Sequence, residues 1–186
     1  MKTIYIKLFY GVLFACICTL ISCSDFEIPD HKLNIEYKYE LTCSESLLKY
    51  VKPQITITDT KGEQTVITIE DNMWTGSNHK TWSQIVHYDS LNVSSTMMVK
   101  YIPKFGNVYE DEPSFDSFHH LDCIISIQED GDGRRNNYTI VPDFTSTTSV
   151  NSDKLEEFII KLGERELTRG GSVDNKGEIT KIEIEK

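Results

Sequence analysis

Apolar and polar residues alternate along the segment KLNIEYKYELTC near the start of the chain. Because successive side chains of a β-strand point to opposite faces, this period of two predicts a strand with one apolar face. We expect that face to lie against a core while the other face meets water. The apolar face consists of Leu33, Ile35, Tyr37, Tyr39, Leu41 and Cys43.

The same alternation continues over most of the chain and predicts about eight strands. The first predicted pair is a hairpin in which QITITD and QTVITIE flank Lys61 and Gly62. The second predicted pair consists of WSQIVHYDSL and SSTMMVKYIPK. The third consists of SFHHLDCIISIQ and NNYTIVP, which are joined through EDGDGRR. EITKIEIEK predicts a last strand with one wet face. This pattern indicates an antiparallel β-sandwich. The alternative is a lipocalin-like barrel, although the G-x-W motif that opens lipocalin barrels is absent from the sequence.

One segment departs from the strand period. In NSDKLEEFIIKLGE the residues Leu155, Phe158, Ile159 and Leu162 recur at helical spacing, so we expect one amphipathic helix of about three turns near the C-terminus. SESLLKYV is compatible with one further helical turn. The polar segment DFTSTTSVNSD predicts a loop before the helix, and LTRGGSVDNKGE predicts a flexible link into the last strand.

The first residues have the composition of an export signal. Lys2 and Lys7 precede an uncharged apolar run at 8–21, which is too short to span a membrane comfortably. The segment LISC that ends at Cys23 resembles the lipobox of bacterial lipoproteins. The resemblance implies that Cys23 is acylated and becomes the first residue of the mature protein. Its acyl chains would hold the protein on a membrane.

The residues that follow the lipobox indicate where the protein is displayed. The segment SDFE resembles the short acidic signal that sends many Bacteroidetes lipoproteins to the outer face of the outer membrane. The chain as a whole resembles small cell-surface lipoproteins of this group, a likeness that implies a location but no activity. We expect a signal peptide at 1–22, an acidic tether at 23–31 and a single β-rich domain at 32–186.

The net charge excludes one class of partner. The chain has 19 basic and 29 acidic residues, and loss of the signal peptide removes two lysines and no acid, so the net charge changes from −10 to −12. Nucleic acids and anionic lipid headgroups need a basic surface. We therefore expect membrane contact through the N-terminal lipid and no nucleic-acid partner.

Cysteine usage fits an exported chain. Besides the lipidated Cys23, the mature protein keeps Cys43 and Cys123, each on the apolar face of a predicted strand. In an oxidising compartment these two residues either pair across the core or remain separate buried thiols. A disulfide between them would stabilise the fold by roughly 2 to 4 kcal/mol.

No pattern in the sequence predicts catalysis. Ser46 and Lys49 match the S-x-x-K of penicillin-recognising enzymes, but neither K-T-G nor S-D-N accompanies them. EDGDGRRN has arginines where an EF-hand needs further ligands, which favours a hairpin turn. Of His119, His120 and Asp122, only the last two share a strand face, so we expect an exposed strand end and no metal site. The sequence predicts neither an enzyme nor a cofactor.

Two tryptophans and one serine remain as candidates for function. Trp74 lies in the polar segment DNMWTGSNHKTW, which ends at Trp82. Exposed indoles would offer flat faces on which a glycan or a protein partner stacks, whereas the alternative places both indoles in the ends of the sandwich. Asp89, Ser90 and Leu91 resemble the triplet on which exported Bacteroidetes proteins are O-glycosylated.

Together these features predict a lipid-anchored, non-catalytic surface module that binds a glycan or a protein. The alternative function is that of a lipocalin-like carrier for a small apolar ligand. The two differ in one structural respect, because a barrel contains a lined pocket between its strands whereas a sandwich is filled by side chains.

Overall fold

Nine strands and two α-helices make up the described part of the chain in this computed structural model. Residues 33–104, 115–129, 137–150 and 154–186 are described, in part through the backbone alone, and within 137–150 the one side chain described is that of Thr148. The strands are β1 (Leu33–Ser44), β2 (Val51–Thr58), β3 (Gln64–Thr68), β4 (His79–Tyr88), β5 (Val93–Pro103), β6 (Phe115–Glu129), β7 (Asn137–Val150), β8 (Glu166–Val173) and β9 (Ile179–Glu185). The helices are α1 (Glu45–Tyr50) and α2 (Leu155–Glu164), and a 3₁₀ turn spans Asp71–Met73.

The predicted signal peptide at 1–22 and the predicted tether at 23–31, which begins with the proposed lipidation site Cys23, lie outside the described residues. Residues Lys32–Lys186 cluster as one compact unit. Within the described ranges, neither helix has the length and apolar character needed to cross a membrane.

The strands form two antiparallel sheets that pack face to face. Sheet A has the order β4-β1-β6-β7, and sheet B has the order β3-β2-β5-β8-β9. Contacts between the sheets join β1 to β5, where the Tyr37 hydroxyl donates to the carbonyl of Val93 at 3.3 Å. They also join β5 to β6, where the rings of Tyr101 and His119 stack with centroids 5.3 Å apart. The predicted mainly β sandwich is confirmed.

The lipocalin-like barrel is wrong. Each sheet ends in edge strands, β4 and β7 in sheet A and β3 and β9 in sheet B, so the sheets do not close on each other. Side chains fill the space between them, including the rings of Tyr37, Tyr39 and Tyr101, each at most 1% exposed. A carrier of the lipocalin type needs that space for its ligand.

The alternation along β1 produces the buried face that the sequence predicts. Ile35, Tyr37, Tyr39, Leu41 and Cys43 are each 0% exposed. The residues between them are only partly buried and form the opposite face of sheet A. Burying one face of a central strand supplies the apolar contact that stabilises both sheets.

The predicted pairing of β4 with β5 is wrong. β4 pairs with β1 at the edge of sheet A, whereas β5 lies between β2 and β8 in sheet B. The chain crosses between the sheets over residues 89–92, where Asn92 has a φ of 61°. Asparagine tolerates this left-handed conformation better than most residues. The alternation fixes the face of each residue but carries no information about which strand lies beside it.

Two segments that the sequence predicts as loops are strands. β7 continues to Val150, which pairs with Phe115, because β6 has 15 residues and provides backbone partners from Phe115 to Ile127, with a register shift between Leu121 and Cys123. β8 contains Gly170, where a Cβ would lie 2.2 Å from the carbonyl oxygen of Ser95 in β5. Close approach of two strands, and not flexibility, accounts for glycine at this position.

Both predicted helices are confirmed. α1 begins after Ser44, whose hydroxyl accepts a hydrogen bond from the backbone N–H of Leu47 at 3.3 Å, a typical N-cap. α2 packs against β5 with its apolar stripe, as the helical spacing predicts. The buried residues of that stripe are Leu155, Ile159 and Leu162.

Candidate functional site

The two tryptophans have different environments. Trp82 is 3% exposed and lies in the core beside Leu41 of the neighbouring strand. A buried indole offers no face to a ligand, so the prediction of ligand stacking is wrong for Trp82 and the alternative, a core role, is right. Trp74 is partly exposed and packs on the margin of the core. Of the two, Trp74 alone is placed to contact a ligand.

Short-range backbone contacts hold Trp74 on both sides. Immediately before it, the last residue of the 3₁₀ turn Asp71–Met73 donates its backbone N–H to the carbonyl of Glu70 at 2.9 Å. Immediately after it, Thr75 and Thr81 exchange two backbone hydrogen bonds of 2.9 and 2.8 Å. The indole therefore extends from a backbone that is fixed at both ends.

A glycine shapes the loop between Trp74 and β4. Gly76 has a φ of +92°, and a Cβ on it would lie 2.3 Å from the carbonyl oxygen of His79. Both facts exclude other residues from this position. The carbonyl oxygen of Gly76 accepts a hydrogen bond from the Lys80 ammonium at 3.1 Å, so the same loop positions a positive charge.

Trp74 borders an open groove with a cavity volume of about 360 Å³. We call it the Trp74 groove, and its lining residues are Glu45, Leu48, Lys49, Asp71, Trp74, Lys80 and Lys104. A second cavity of about 240 Å³ shares Trp74, and it adds Val51, Lys52 and Pro53 from β2 together with Ile69 and Glu70, which follow β3. The larger volume lies within the range typical of small-molecule sites.

The groove at one end of the sandwich is formed by α1, the 3₁₀ turn and the ends of β4 and β5. α1 lies between β1 and β2, Lys104 follows the end of β5, and Lys80 belongs to the start of β4. The Lys104 ammonium donates to the carbonyl of Leu48 in α1 at 2.7 Å, and its backbone N–H donates to the carbonyl of Tyr50 at 2.8 Å. These two bonds tie the end of β5 to α1 and fix the lysine beside the groove.

The groove also carries negative charge. Glu45 in the first turn of α1 and Asp71 in the 3₁₀ turn line it directly. In the adjoining cavity, Lys52 and Glu70 form an ion pair of 2.8 Å, with the carboxylate side chain 60% exposed. The site therefore combines one flat apolar face with ammonium donors and carboxylate acceptors.

Cys43 and Cys123 do not form the disulfide that the sequence allows. Both are buried free thiols. Cys43 pairs with His119 across β1 and β6, whereas Cys123 pairs with Tyr39, four positions further along β1. That offset is about 13 Å of strand, whereas a disulfide needs Cα atoms within about 7 Å. Burial raises the pKa of each thiol to about 12, so neither is reactive.

His119 does not lie at an exposed strand end. It belongs to the interior of β6, is 4% exposed and stacks on Tyr101. Burial, followed by the positive charge of Arg165, lowers its pKa to about 4, so it is neutral at pH 7. His120 and Asp122 occupy the less buried face of β6. No group of three or more possible metal ligands occurs among the described residues.

Ser90 lies in the crossing between β4 and β5. Its side chain is exposed, which leaves the hydroxyl accessible to a modifying enzyme. O-glycosylation of Ser90 stays a prediction, as does acylation of Cys23.

The sequence identified Trp74 but not the charged residues around it. Glu45, Asp71, Lys80 and Lys104 are far apart along the chain and meet only because α1, the 3₁₀ turn and the ends of β4 and β5 converge. The one available signal was the polar segment DNMWTGSNHK, which holds the tryptophan, an acid and a lysine together.

Comparison with known proteins adds no functional information. A scan against protein-family models, a search of curated proteins and a search of solved structures each find no match. The side chains of the Trp74 groove are therefore the basis for inferring function.

Proposed function

We propose that this protein is a lipid-anchored, non-catalytic module of the outer cell surface, and that it binds carbohydrate in the Trp74 groove. The partly exposed indole of Trp74 beside an open cavity is the observation that carries the proposal. The lipobox at Cys23 supports the lipid anchor, and the acidic SDFE segment supports display on the outer face of the outer membrane.

Carbohydrate fits the chemistry of the groove. A sugar ring presents apolar C–H faces that pack on a flat indole, and its edge carries hydroxyl groups that both donate and accept hydrogen bonds. Glu45 and Asp71 supply acceptors, while Lys80 and Lys104 supply donors. Trp74 thus provides the stacking surface and the charged residues orient the ring above it.

The fixed position of the indole also favours binding. Trp74 lies between the 3₁₀ turn and the two backbone hydrogen bonds that join Thr75 to Thr81, so its backbone is ordered before any ligand binds. A side chain that is already ordered loses less conformational entropy on binding than a mobile one. Pre-organisation of this kind increases affinity without adding contacts.

Tryptophan fluorescence of the full chain, purified in detergent, tests the proposal. We expect one or more polysaccharides in a panel to shift the emission, because a ligand on Trp74 removes water from its indole. In calorimetric titration, which does not depend on the indole that reports in the fluorescence test, Trp74→Ala should weaken binding by at least about tenfold, since a central aromatic contact commonly contributes more than 1.4 kcal/mol. Ile85→Ala is the matched control, because Ile85 is an apolar residue 42% exposed and outside the groove.

Two results would contradict carbohydrate binding at Trp74. One is a polysaccharide that binds Trp74→Ala as tightly as the unmodified chain, which would place the site elsewhere. The other is a panel in which no polysaccharide binds, which would favour a protein partner instead.

A further inference from the structure

Lysines are concentrated around the Trp74 groove of an otherwise acidic chain. The chain has 19 basic and 29 acidic residues, whereas the groove and its adjoining cavity place four lysines beside three acids. Screening limits the reach of more distant charges to about 8 Å at physiological ionic strength, so a bound ligand responds mainly to these neighbours. The lysines are Lys49, Lys52, Lys80 and Lys104, and the acids are Glu45, Glu70 and Asp71.

Two of these lysines are held by backbone carbonyls and not by carboxylates. Lys104 is held by the carbonyl of Leu48 at 2.7 Å, and Lys80 is held by the carbonyl of Gly76 at 3.1 Å. Neither ammonium forms an ion pair with any residue in the described ranges. A carbonyl accepts one N–H and leaves the charge in place, so each ammonium keeps two donors for a ligand. The carbonyls also fix where the two charges lie.

The acids of the groove are suited to a different part of the same ligand. The carboxylates of Glu45 and Asp71 accept hydrogen bonds only, and the hydroxyl groups of a sugar are donors that match them. The ammonium groups instead form their strongest hydrogen bonds with an anionic acceptor. A ligand that carries both hydroxyl groups and a negative charge uses all of these side chains.

We infer that the Trp74 groove selects an acidic carbohydrate, with a sugar ring stacked on Trp74 and its carboxylate or sulfate group bound by Lys80 and Lys104. This inference rests on the proposed carbohydrate-binding function and specifies the ligand class. A neutral sugar would leave both ammonium groups without an anionic partner, whereas a carboxylate and a sulfate each supply several acceptor oxygens.

The test compares two oligosaccharides that differ at one position of each sugar, where one has a carboxylate and the other a neutral hydroxymethyl group. The full chain in detergent, with Trp82→Phe so that Trp74 is the only tryptophan, is titrated with oligogalacturonate and with its carboxyl-reduced neutral form. We expect oligogalacturonate to bind about tenfold more tightly, the difference that one charge-assisted hydrogen bond supplies. A sulfated heparin oligosaccharide in a third titration shows whether sulfate replaces the carboxylate. Calorimetric titration of the unmodified chain repeats the comparison without altering the core residue Trp82.

Two lysine variants test whether Lys80 and Lys104 bind the anionic group of the sugar. Lys80→Ala and Lys104→Ala should each reduce the preference for the acidic form, and higher salt should reduce it further. Lys38→Ala is the control with the same charge change, because Lys38 lies on the outer face of sheet A in an ion pair with Glu40 of 2.9 Å. It should leave the preference unchanged.

The outcomes separate this inference from the function it rests on. Equal affinity for the acidic and reduced forms would overturn the inference while carbohydrate binding stood. Preference for the acidic form that survives both lysine variants would overturn the assignment to Lys80 and Lys104. Absence of binding to every oligosaccharide and polysaccharide would overturn the proposed function, and the inference with it.

Discussion

The imidazole of His119 lies in the core against the ring of Tyr101, where burial and the charge of Arg165 lower its pKa from 6.5 to about 4. The folded protein therefore favours the neutral imidazole. As the pH falls from about 6.5 to about 4, the unfolded chain takes up a proton that the folded protein does not. The stability that the neutral His119 contributes is present above pH 6.5 and is lost over this range, on the order of 3 kcal/mol.

Unfolding in urea near neutral pH and near pH 4 measures this contribution. We expect the unmodified chain to lose more free energy of unfolding on acidification than His119→Phe, whose ring also stacks on Tyr101 but does not titrate. Other titrating groups are common to both proteins, so the difference between them isolates His119. An equal loss in the two proteins would contradict the burial of a neutral imidazole.

Alternation along a strand predicts the direction of a side chain but not its depth or its neighbours. It placed Cys43 and Cys123 on inward faces, and both are 0% exposed. It did not reveal that the two thiols lie four positions apart in register, which rules out a disulfide. Alternation also placed His119 and His120 on opposite faces of the strand. It did not show that His119 lies within the strand and not at its end, because the end of a strand depends on how far its partner strand extends.

At the scale of an element, β8 depends on a glycine that its neighbour approaches closely. A Cβ on Gly170 would lie 2.2 Å from the carbonyl oxygen of Ser95 and 2.7 Å from the Cα of Thr96. Both atoms belong to the backbone of β5, so neither can move without shifting the strand. Gly170→Ala must therefore displace the pairing of β5 with β8 or distort it.

We expect Gly170→Ala to reduce the free energy of unfolding by about 3 kcal/mol, the upper part of the range for overpacking in a core. Gly62→Ala is the control, because Gly62 has a φ of +80° in the turn between β2 and β3 but no atom within 4 Å of its would-be Cβ. A left-handed alanine costs roughly 1 kcal/mol. Denaturant unfolding compares the two variants, and a smaller loss for Gly170→Ala would contradict the close packing of β8.

The elements that the sequence predicted best are those with strong local signals. The hairpin of β2 and β3 turns at Gly62, and α1 and α2 carry an N-cap serine and a helical stripe. The failures are elements defined by a distant partner. β4 pairs with β1 and not with β5 as expected. The end of β7 is a strand because β6 pairs with it. β8 is a strand that pairs with β5, although its two glycines suggested a flexible link.

At the scale of the whole molecule, the proposed lipid anchor is tested without reference to the Trp74 groove. Cys23→Ser removes the thiol that the lipobox presents for acylation, so we expect it to abolish labelling by radioactive palmitate and to release the protein from the membrane fraction. Cys18→Ser is the control, because that cysteine precedes the proposed cleavage point. Membrane retention and labelling of Cys23→Ser equal to those of the unmodified chain would contradict the lipid anchor.

The candidate site was predictable only in part. An aromatic residue in a polar segment drew attention to Trp74, but the same argument applied to Trp82, which the register of β4 on β1 places in the core. Lys80 and Lys104 gave no signal, because a lysine at a strand end is ordinary in sequence. Their role arises from the convergence of α1 with the ends of β4 and β5, a property of the assembled sandwich.

A glycan array probed with the unmodified full chain and with Trp74→Ala tests most directly that the Trp74 groove is the binding site. We predict that the unmodified chain binds a set of glycans enriched in acidic sugars and that Trp74→Ala loses that set, while Ile85→Ala retains it. Binding of Trp74→Ala to the same glycans at the same strength would show that the Trp74 groove is not the binding site.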